Sequence, residues 1–224
     1  MADAVSKNCL KILCIHGYRQ NAKVCREKLG AFRKSVKKLP LEFVYITAPN
    51  KIPKTVSGEI ANPDENEDYG WWFSTADDEY DPLAPTELNK GFDSSLALVT
   101  KTFKEQGPFD GIFGFSQGAS LLSILCAMRD QGIFKFDFAI MVASFKSRSS
   151  AHKIYYEKPI TCPTLHVYGD TDKVIPKENS EELAKLFVNS VVLSHSGGHF
   201  VPAASAQKKV YVDFIERFLS TTKE

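Results

Sequence analysis

Six short runs rich in apolar and β-branched residues recur along the 224-residue chain, and segments with apolar residues at helical spacing separate most of them. Such runs are typical of strands that are buried on both faces. Their alternation with helical segments predicts an α/β fold, with a mainly parallel six-stranded sheet and helices on both faces. The predicted strands are residues 11–15, 43–47, 110–113, 138–142, 164–168 and 191–194, and the helical patterns lie near residues 24–36, 88–103, 121–128, 180–187 and 210–218. The length suits one sizeable core, so we expect a single domain over residues 1–224.

One segment, from about residue 50 to residue 85, interrupts this alternation. Its prolines and its run of acidic and amide side chains disfavour regular structure, which predicts an insertion. The insertion carries the consecutive aromatic residues Trp71, Trp72 and Phe73, whose rings would be costly to leave in water. Two interpretations stay open: the rings line a substrate groove, or they anchor the insertion to the core.

The formal charges nearly cancel, with 28 Lys and Arg residues against 27 Asp and Glu residues. This balance favours neither nucleic acid nor an acidic membrane as a partner. The N-terminus lacks the layout of a signal peptide, and no run approaches the roughly 18 apolar residues of a membrane span. The five cysteines are odd in number and scattered, as is typical of a reducing compartment. We therefore expect a protein of the cytoplasm, or of both the cytoplasm and the nucleus, with no membrane insertion. Its oligomeric state stays open.

The pentapeptide GFSQG follows the predicted strand at residues 110–113 and precedes a helical pattern. A nucleophilic serine must project from a sharp strand-to-helix turn, which tolerates only small residues two positions away on either side. Gly114 and Gly118 meet this requirement around Ser116. The sequence predicts that Ser116 is the nucleophile, with the N-terminus of the following helix directed at the reacting centre.

An acid and a base follow Ser116 in the chain order that this architecture imposes, each just beyond a predicted strand. In GDTDKVIP, Asp172 is preferred over Asp170, because a carboxylate directly after the glycine more often caps a turn. In HSGGHFVP, His199 is preferred over His195, because the two glycines before it allow the loop to return over the sheet. Serine needs such a neutral imidazole, and the imidazole needs a carboxylate that fixes its tautomer.

The loop after the first strand, CIHGYRQN, is predicted to complete an oxyanion hole. The backbone N–H of Tyr18 would pair with that of Gln117, and Gly17 would allow a close approach to substrate. His16 precedes the serine and is interpreted as structural, and His166 is interpreted as a core histidine within a strand. Neither an HExxH motif nor a paired CxxC motif is present, so we expect no metal site and no cofactor.

Five motifs together resemble the FSH-type serine hydrolases: CIHGYRQN, GWWFS, GPFDGIFGFSQGA, VYGDTDKVIP and SGGHFVP. The resemblance implies the α/β-hydrolase fold and esterase activity, with Ser116 as nucleophile, Asp172 as acid and His199 as base. It also implies that the strand at residues 11–15 lies between those at residues 110–113 and 43–47. Ligands bind where such a sheet reverses its winding direction, which is where HGY and GFSQG emerge.

A mostly apolar groove would favour a small-molecule ester with a hydrophobic, medium- or long-chain acyl or alkyl group. The residues assigned to this groove are Trp71, Trp72, Phe73, Phe145, Ile175 and Phe200. Two other functions remain open. The acyl-protein thioesterase and lysophospholipase group shares the pattern of motifs, and some proteins of this fold only bind a ligand, although the complete triad disfavours that second alternative.

Overall fold

Six parallel strands form the central sheet of the computed structural model, which describes residues 9–53 and 68–219. The strands are β1 (Leu10–Ile15), β2 (Leu41–Ile46), β3 (Asn50–Lys51), β4 (Tyr69–Gly70), β5 (Gly111–Phe115), β6 (Phe138–Val142), β7 (Thr164–Gly169) and β8 (Ser190–His195). The helices are α1 (Ala22–Lys28), α2 (Gly30–Ser35), α3 (Phe92–Gln106), α4 (Gln117–Asp130), α5 (Lys177–Ala184) and α6 (Ser205–Leu219), with a 3₁₀ helix at Ser150–Tyr156. The central sheet has the order β2-β1-β5-β6-β7-β8, and the predicted α/β fold is confirmed.

The two faces of this sheet bury separate apolar cores. Alternate residues of β1 divide between them: Ile12 and Cys14 contribute to one core, while Leu13 and Ile15 contribute to the other. Helices α1, α2 and α6 cover the first core, and α3, α4 and α5 cover the second. A strand that is buried on both faces carries apolar side chains on both, so its sequence is a continuous apolar run rather than an alternation of apolar and polar residues. For this reason the inner strands could be predicted from the sequence.

The winding of the sheet reverses at β1, which has β2 on one side and β5 on the other. In register, Ile15 of β1 lies beside Gly114 of β5, so the loops after these two strands emerge side by side at the carboxyl edge of the sheet. The predicted strand order around residues 11–15 is thereby confirmed. The loop after β1 begins at His16 and the turn after β5 holds Ser116.

Several element boundaries differ from the sequence prediction. The helical pattern over residues 24–36 forms two helices, because the backbone of Leu29 leaves helical geometry with φ −80° and ψ 4°. The pattern that was predicted from residue 88 becomes helical only at Phe92, because Gly91 before it has a left-handed φ of 85°. The predicted helix at residues 180–187 is α5, which begins three residues earlier and ends at Ala184.

The insertion contains one short piece of regular structure that the sequence did not predict. Strands β3 and β4 pair antiparallel, with Asn50 beside Gly70. Residues 54–67 of the insertion lie outside the described residues, so the prediction for them stays untested. No helix within residues 9–53 and 68–219 is long and apolar enough to span a membrane.

Candidate active site

Ser116 occupies a sharp turn between β5 and α4. Its backbone has φ 52° and ψ −119°, a conformation that a residue with a Cβ rarely adopts. The Ser116 N–H donates a hydrogen bond to the Val142 carbonyl oxygen at 2.9 Å, which ties the turn to the neighbouring strand. Such strain costs on the order of 1–3 kcal/mol and persists where the surrounding structure holds it, as it does between a buried strand and a buried helix here.

The two glycines of GFSQG are required by close backbone contacts rather than by an unusual φ. A Cβ on Gly114 would lie 2.7 Å from Ala119 Cα, and a Cβ on Gly118 would lie 2.3 Å from the His16 carbonyl oxygen. The second contact shows how tightly the start of α4 packs against the loop after β1. The sequence reasoning on the crowded turn therefore agrees with the structure.

Three side chains meet at this turn. The His199 Nε2 atom lies 3.1 Å from Ser116 Oγ, and the His199 Nδ1 atom lies 2.7 Å from Asp172 Oδ2. The second oxygen of Asp172, Oδ1, accepts hydrogen bonds from the N–H groups of Val174 and Ile175, each at 2.9 Å. A carboxylate held in this way can only accept from Nδ1–H, so Nε2 is left to accept the serine proton.

The competing acid and base candidates lie elsewhere. Asp170 is exposed, and its backbone N–H donates to the His195 carbonyl oxygen at 2.7 Å. The His195 ring is mostly buried, accepts the Gly197 N–H at Nδ1 and packs edge-on against Phe200. Burial lowers the pKa of His195, with Asp170 and Asp172 opposing the shift. The structure thus brings Asp172 and His199, rather than their neighbours, to Ser116.

The loop after β1 lies against the nucleophile. A Cβ on Gly17 would lie 3.3 Å from Ser116 Cβ and 3.0 Å from the ring of Phe115, so glycine allows the loop to pack closely on the nucleophile. The expected approach of Gly17 to substrate stays a prediction. Gln117 is the first residue of α4, and the first N–H groups of a helix lack an acceptor within that helix. The loop that carries Tyr18 therefore lies against Ser116, and the N-terminus of α4 packs against the start of the same loop.

His16 has a structural role in this loop. Its Nδ1–H donates to the Gly17 carbonyl oxygen at 2.7 Å, and its Nε2 accepts the N–H of Ala48 at 2.9 Å. Both ring nitrogens are used in one neutral tautomer, and burial lowers the pKa of His16 to about 4. His166 is likewise buried in β7, where desolvation lowers its pKa to about 3. Both histidines remain neutral near pH 7.

The tryptophans of the insertion are buried and hold the insertion to the site. The Gln117 side chain bridges them, since its Oε1 accepts the N–H of Trp71 at 2.8 Å and its Nε2 donates to the carbonyl oxygen of Trp72 at 2.7 Å. The indole N–H of Trp71 donates to the His16 carbonyl oxygen at 2.7 Å. No signal in the sequence pointed to this role of the Gln117 side chain. Of the two interpretations of the tryptophans, anchoring the insertion to the core agrees with these contacts. Both rings are buried and therefore cannot contact a ligand in this structure.

The other four residues that were assigned to a groove differ in their exposure. Phe73, Phe145 and Ile175 are buried, whereas Phe200 is 50% exposed beside the base. An open groove of six aromatic and aliphatic side chains is therefore absent from the described part of the chain. Of the six, Phe200 borders open space next to His199.

A cavity of about 350 Å³ lies beside the base, on the face of the sheet that α1 covers. The residues that line it are Gln20, Cys25, Lys28, Leu29, Phe115, His199, Phe200 and Val201. The sequence reasoning missed the wall that α1 provides. Cys25 and Lys28 lie three residues apart on α1 and Leu29 caps its C-terminal end, a spacing that could have shown that they lie close together but not which site they border. No group of three metal-binding side chains occurs within the two described ranges.

Comparison with known proteins shows the family of this chain. Residues 5–211 match the family described as Serine hydrolase (FSH1). Esterase OVCA2 of Xenopus tropicalis is 45% identical over 97% of this chain and 96% of its own length. The human protein of that name is 38% identical over 93% and 96%, and Esterase CG5412 of Drosophila melanogaster is 40% identical over 92% and 74%.

Among solved structures, acyl-protein thioesterase 2 of Zea mays has a TM-score of 0.67 at 17% identity and covers 98% of this chain and 97% of its own. Est1E of Butyrivibrio proteoclasticus, solved with ferulic acid, has a TM-score of 0.60 at 12% identity and covers 99% and 94%. At such low identity these likenesses establish the α/β-hydrolase fold alone. The family match and the full-length relatives together show that the chain belongs to the FSH1 family of serine hydrolases.

Proposed function

We propose that the protein is a serine carboxylesterase that cleaves esters with a hydrophobic group through an acyl-enzyme intermediate. The observation that carries the proposal is the unbroken series of contacts from Ser116 through His199 to Asp172. The relatives named as esterases, which align over nearly the whole chain, support the same reaction class.

The reaction begins when Ser116 Oγ attacks the ester carbonyl carbon and its proton passes to His199 Nε2. Asp172 stabilises the imidazolium that forms, because its Oδ2 accepts the Nδ1–H bond at 2.7 Å. The imidazolium then gives its proton to the leaving alcohol oxygen, which produces the acyl-enzyme and free alcohol. Water, activated by the same imidazole, releases the acid and restores Ser116.

The negative charge on the carbonyl oxygen would be stabilised by the backbone N–H groups of Tyr18 and Gln117. The N-terminus of α4 adds its positive dipole end at the same place. The close packing of Gly17 against Ser116 supports this assignment, since it brings the loop of Tyr18 beside the nucleophile. One such donor contributes about 3–4 kcal/mol to transition-state stabilisation.

The cavity beside His199 supports a hydrophobic substrate, because Cys25, Leu29, Phe115 and Val201 form much of its wall. Water occupies about 30 Å³ per molecule and a methylene group a similar volume, so a 350 Å³ cavity accommodates on the order of ten chain carbons. Trp71 and Trp72 would serve the reaction indirectly, Trp71 as a support for the loop after β1 and Trp72 as a support for Gln117. We infer that medium-length chains fit this site best.

A thioesterase or lysophospholipase activity is the second candidate, favoured by the structural likeness to a protein titled acyl-protein thioesterase 2. The comparison of an acyl thioester with the oxygen ester of the same acyl group separates the two. A kcat/KM more than tenfold higher on the thioester would replace the carboxylesterase proposal.

We also propose that the protein acts in the cytoplasm or the nucleus, as the scatter of its five cysteines suggests.

The nucleophile is tested with Ser116→Ala and the matched control Ser120→Ala, whose buried hydroxyl lies one turn further along α4. We expect Ser116→Ala to lose more than about 10⁴-fold in kcat on p-nitrophenyl esters of graded chain length. A fluorophosphonate probe should label the wild type and Ser120→Ala but not Ser116→Ala. Normal labelling of Ser116→Ala would show that another residue is the nucleophile.

A further inference from the structure

The cavity beside His199 borders the base but not the nucleophile. Of the catalytic residues within the described ranges, its wall includes His199 and excludes Ser116 and Asp172. The residues of the proposed oxyanion hole, Tyr18 and Gln117, are likewise outside that wall. The ring of Phe115, which is part of the cavity wall, packs against the imidazole at 4.9 Å between ring centroids.

In the tetrahedral intermediate, the carbon of the former ester carbonyl carries three groups besides Ser116 Oγ: the oxyanion, the leaving-group oxygen and the acyl chain. These three groups point in different directions. The carbonyl oxygen points to the oxyanion hole, and the leaving-group oxygen must come within hydrogen-bond reach of His199 Nε2, from which it receives its proton. The acyl chain takes the remaining direction. Because His199 is the catalytic residue that borders the cavity, the leaving group is the part of the ester that this cavity best fits.

We propose, on the basis of the proposed function above, that this cavity is the leaving-group subsite and takes an unbranched aliphatic alcohol. Apolar side chains at Leu29, Phe115 and Val201 match an alkyl chain, while Gln20 and Lys28 supply polar groups in the same wall. Burial raises the pKa of the Cys25 thiol to about 12, so that this group remains a neutral apolar surface at pH 7. The medium-length chain inferred above would then belong to the alcohol rather than to the acid.

Alcoholysis isolates this subsite from the acyl side. The butyryl-enzyme that forms from p-nitrophenyl butyrate reacts either with water or with an added n-alkanol. In the second reaction the alkanol oxygen bonds to the carbonyl carbon, the bond from that carbon to Ser116 Oγ breaks, and the alkanol proton passes through His199 to Oγ. By microscopic reversibility, the alkanol attacks from the position that a leaving alcohol occupies.

The ratio of alkyl butyrate to butyric acid, measured by gas chromatography, does not depend on how fast the acyl-enzyme forms. In the wild type we expect this ratio to rise by up to about fourfold for each added methylene until the cavity is full. Cys25→Leu and Cys25→Phe occupy increasing parts of the cavity and should shorten the best alkanol in that order. Cys9→Phe makes the same substitution at an exposed cysteine and should retain the wild-type profile.

Two results would overturn the inference: a wild-type ratio that is independent of alkanol length, or a Cys25→Phe protein whose preferred acyl length shortens while its alkanol profile is unchanged. Cys25→Leu keeps the test decisive if the larger substitution prevents folding. Absence of butyryl-enzyme turnover in the wild type would contradict the proposed esterase function itself, which separates the two failures.

Discussion

Replacement of Asp172 by Asn tests whether the carboxylate sets the tautomer of the base. In the wild type, Oδ1 accepts two backbone N–H bonds, from Val174 and Ile175, while Oδ2 accepts the Nδ1–H of His199. An asparagine has one oxygen and one NH₂ group, and it must choose which to turn toward the two N–H donors. If the NH₂ group faced them, both donors would lose their acceptor, and the buried N–H of Ile175 alone would cost about 1–3 kcal/mol.

The amide oxygen therefore stays on the backbone donors and the NH₂ group points at His199 Nδ1. Nδ1 must then accept, the ring proton moves to Nε2, and Nε2 can no longer accept the proton of Ser116 Oγ, which lies 3.1 Å away. A wrong tautomer of this kind lowers kcat by about 10⁴-fold, or about 5 kcal/mol in the activation free energy.

The assay is kcat on p-nitrophenyl butyrate at pH 7, with thermal unfolding as a check that each variant is folded. Asp170→Asn is the matched control, since the side chain of Asp170 is exposed and lies two residues away in the same loop. We expect the control to remain within a few-fold of the wild type. A loss below about tenfold in Asp172→Asn, or a larger loss in Asp170→Asn, would refute the tautomer argument.

Two further predictions concern stability. Gly118→Ala should lower the free energy of unfolding by more than about 3 kcal/mol in urea titration, because its Cβ would lie 2.3 Å from the His16 carbonyl oxygen. The control Gly30→Ala, whose Cβ meets nothing within 4 Å, should change the free energy of unfolding by less than about 1 kcal/mol. Equal unfolding midpoints for the two variants would contradict the packing argument. Burial lowers the pKa values of His16 and His152 to about 4 and that of His166 to about 3, below the model-peptide value of 6.5, so the unfolded chain binds more protons and stability falls from pH 6.5 toward pH 4. Three such groups give a slope of up to about 4 kcal/mol per pH unit near pH 5, and an unfolding midpoint that does not change between pH 7 and pH 5 would contradict it.

The parts of the fold that could be predicted are those that a local pattern determines. Inner strands such as β5 and β6 are buried on both faces, so they carry an apolar run without a polar alternation. The positions of Ser116, Asp172 and His199 could be predicted because each follows the carboxyl end of a strand, and parallel strands place these ends at one edge of the sheet.

The walls of the site could not be predicted in the same way, because they depend on tertiary packing. Three consecutive aromatic residues have the same composition whether they line a groove or fill a core, and the burial of Trp71 and Trp72 is decided by contacts with Gln117 and His16. The contribution of α1 to the cavity depends on how that helix meets the loop of His199, about 170 residues later in the chain.

These contacts would connect the insertion to the proposed catalytic machinery although Trp71, Trp72 and Phe73 are buried. Trp71 donates to the carbonyl oxygen of His16, and His16 in turn donates to the carbonyl oxygen of Gly17 through its ring. Gln117, whose backbone N–H is one of the proposed oxyanion donors, holds the insertion through its side-chain amide. The two segments that would supply oxyanion donors are thus joined through Trp71, whose backbone N–H donates to Gln117 and whose indole N–H donates to His16. A hydrogen-bond donor stabilises a transition state only if it is held in place before the charge develops, and this series of buried bonds supplies that rigidity.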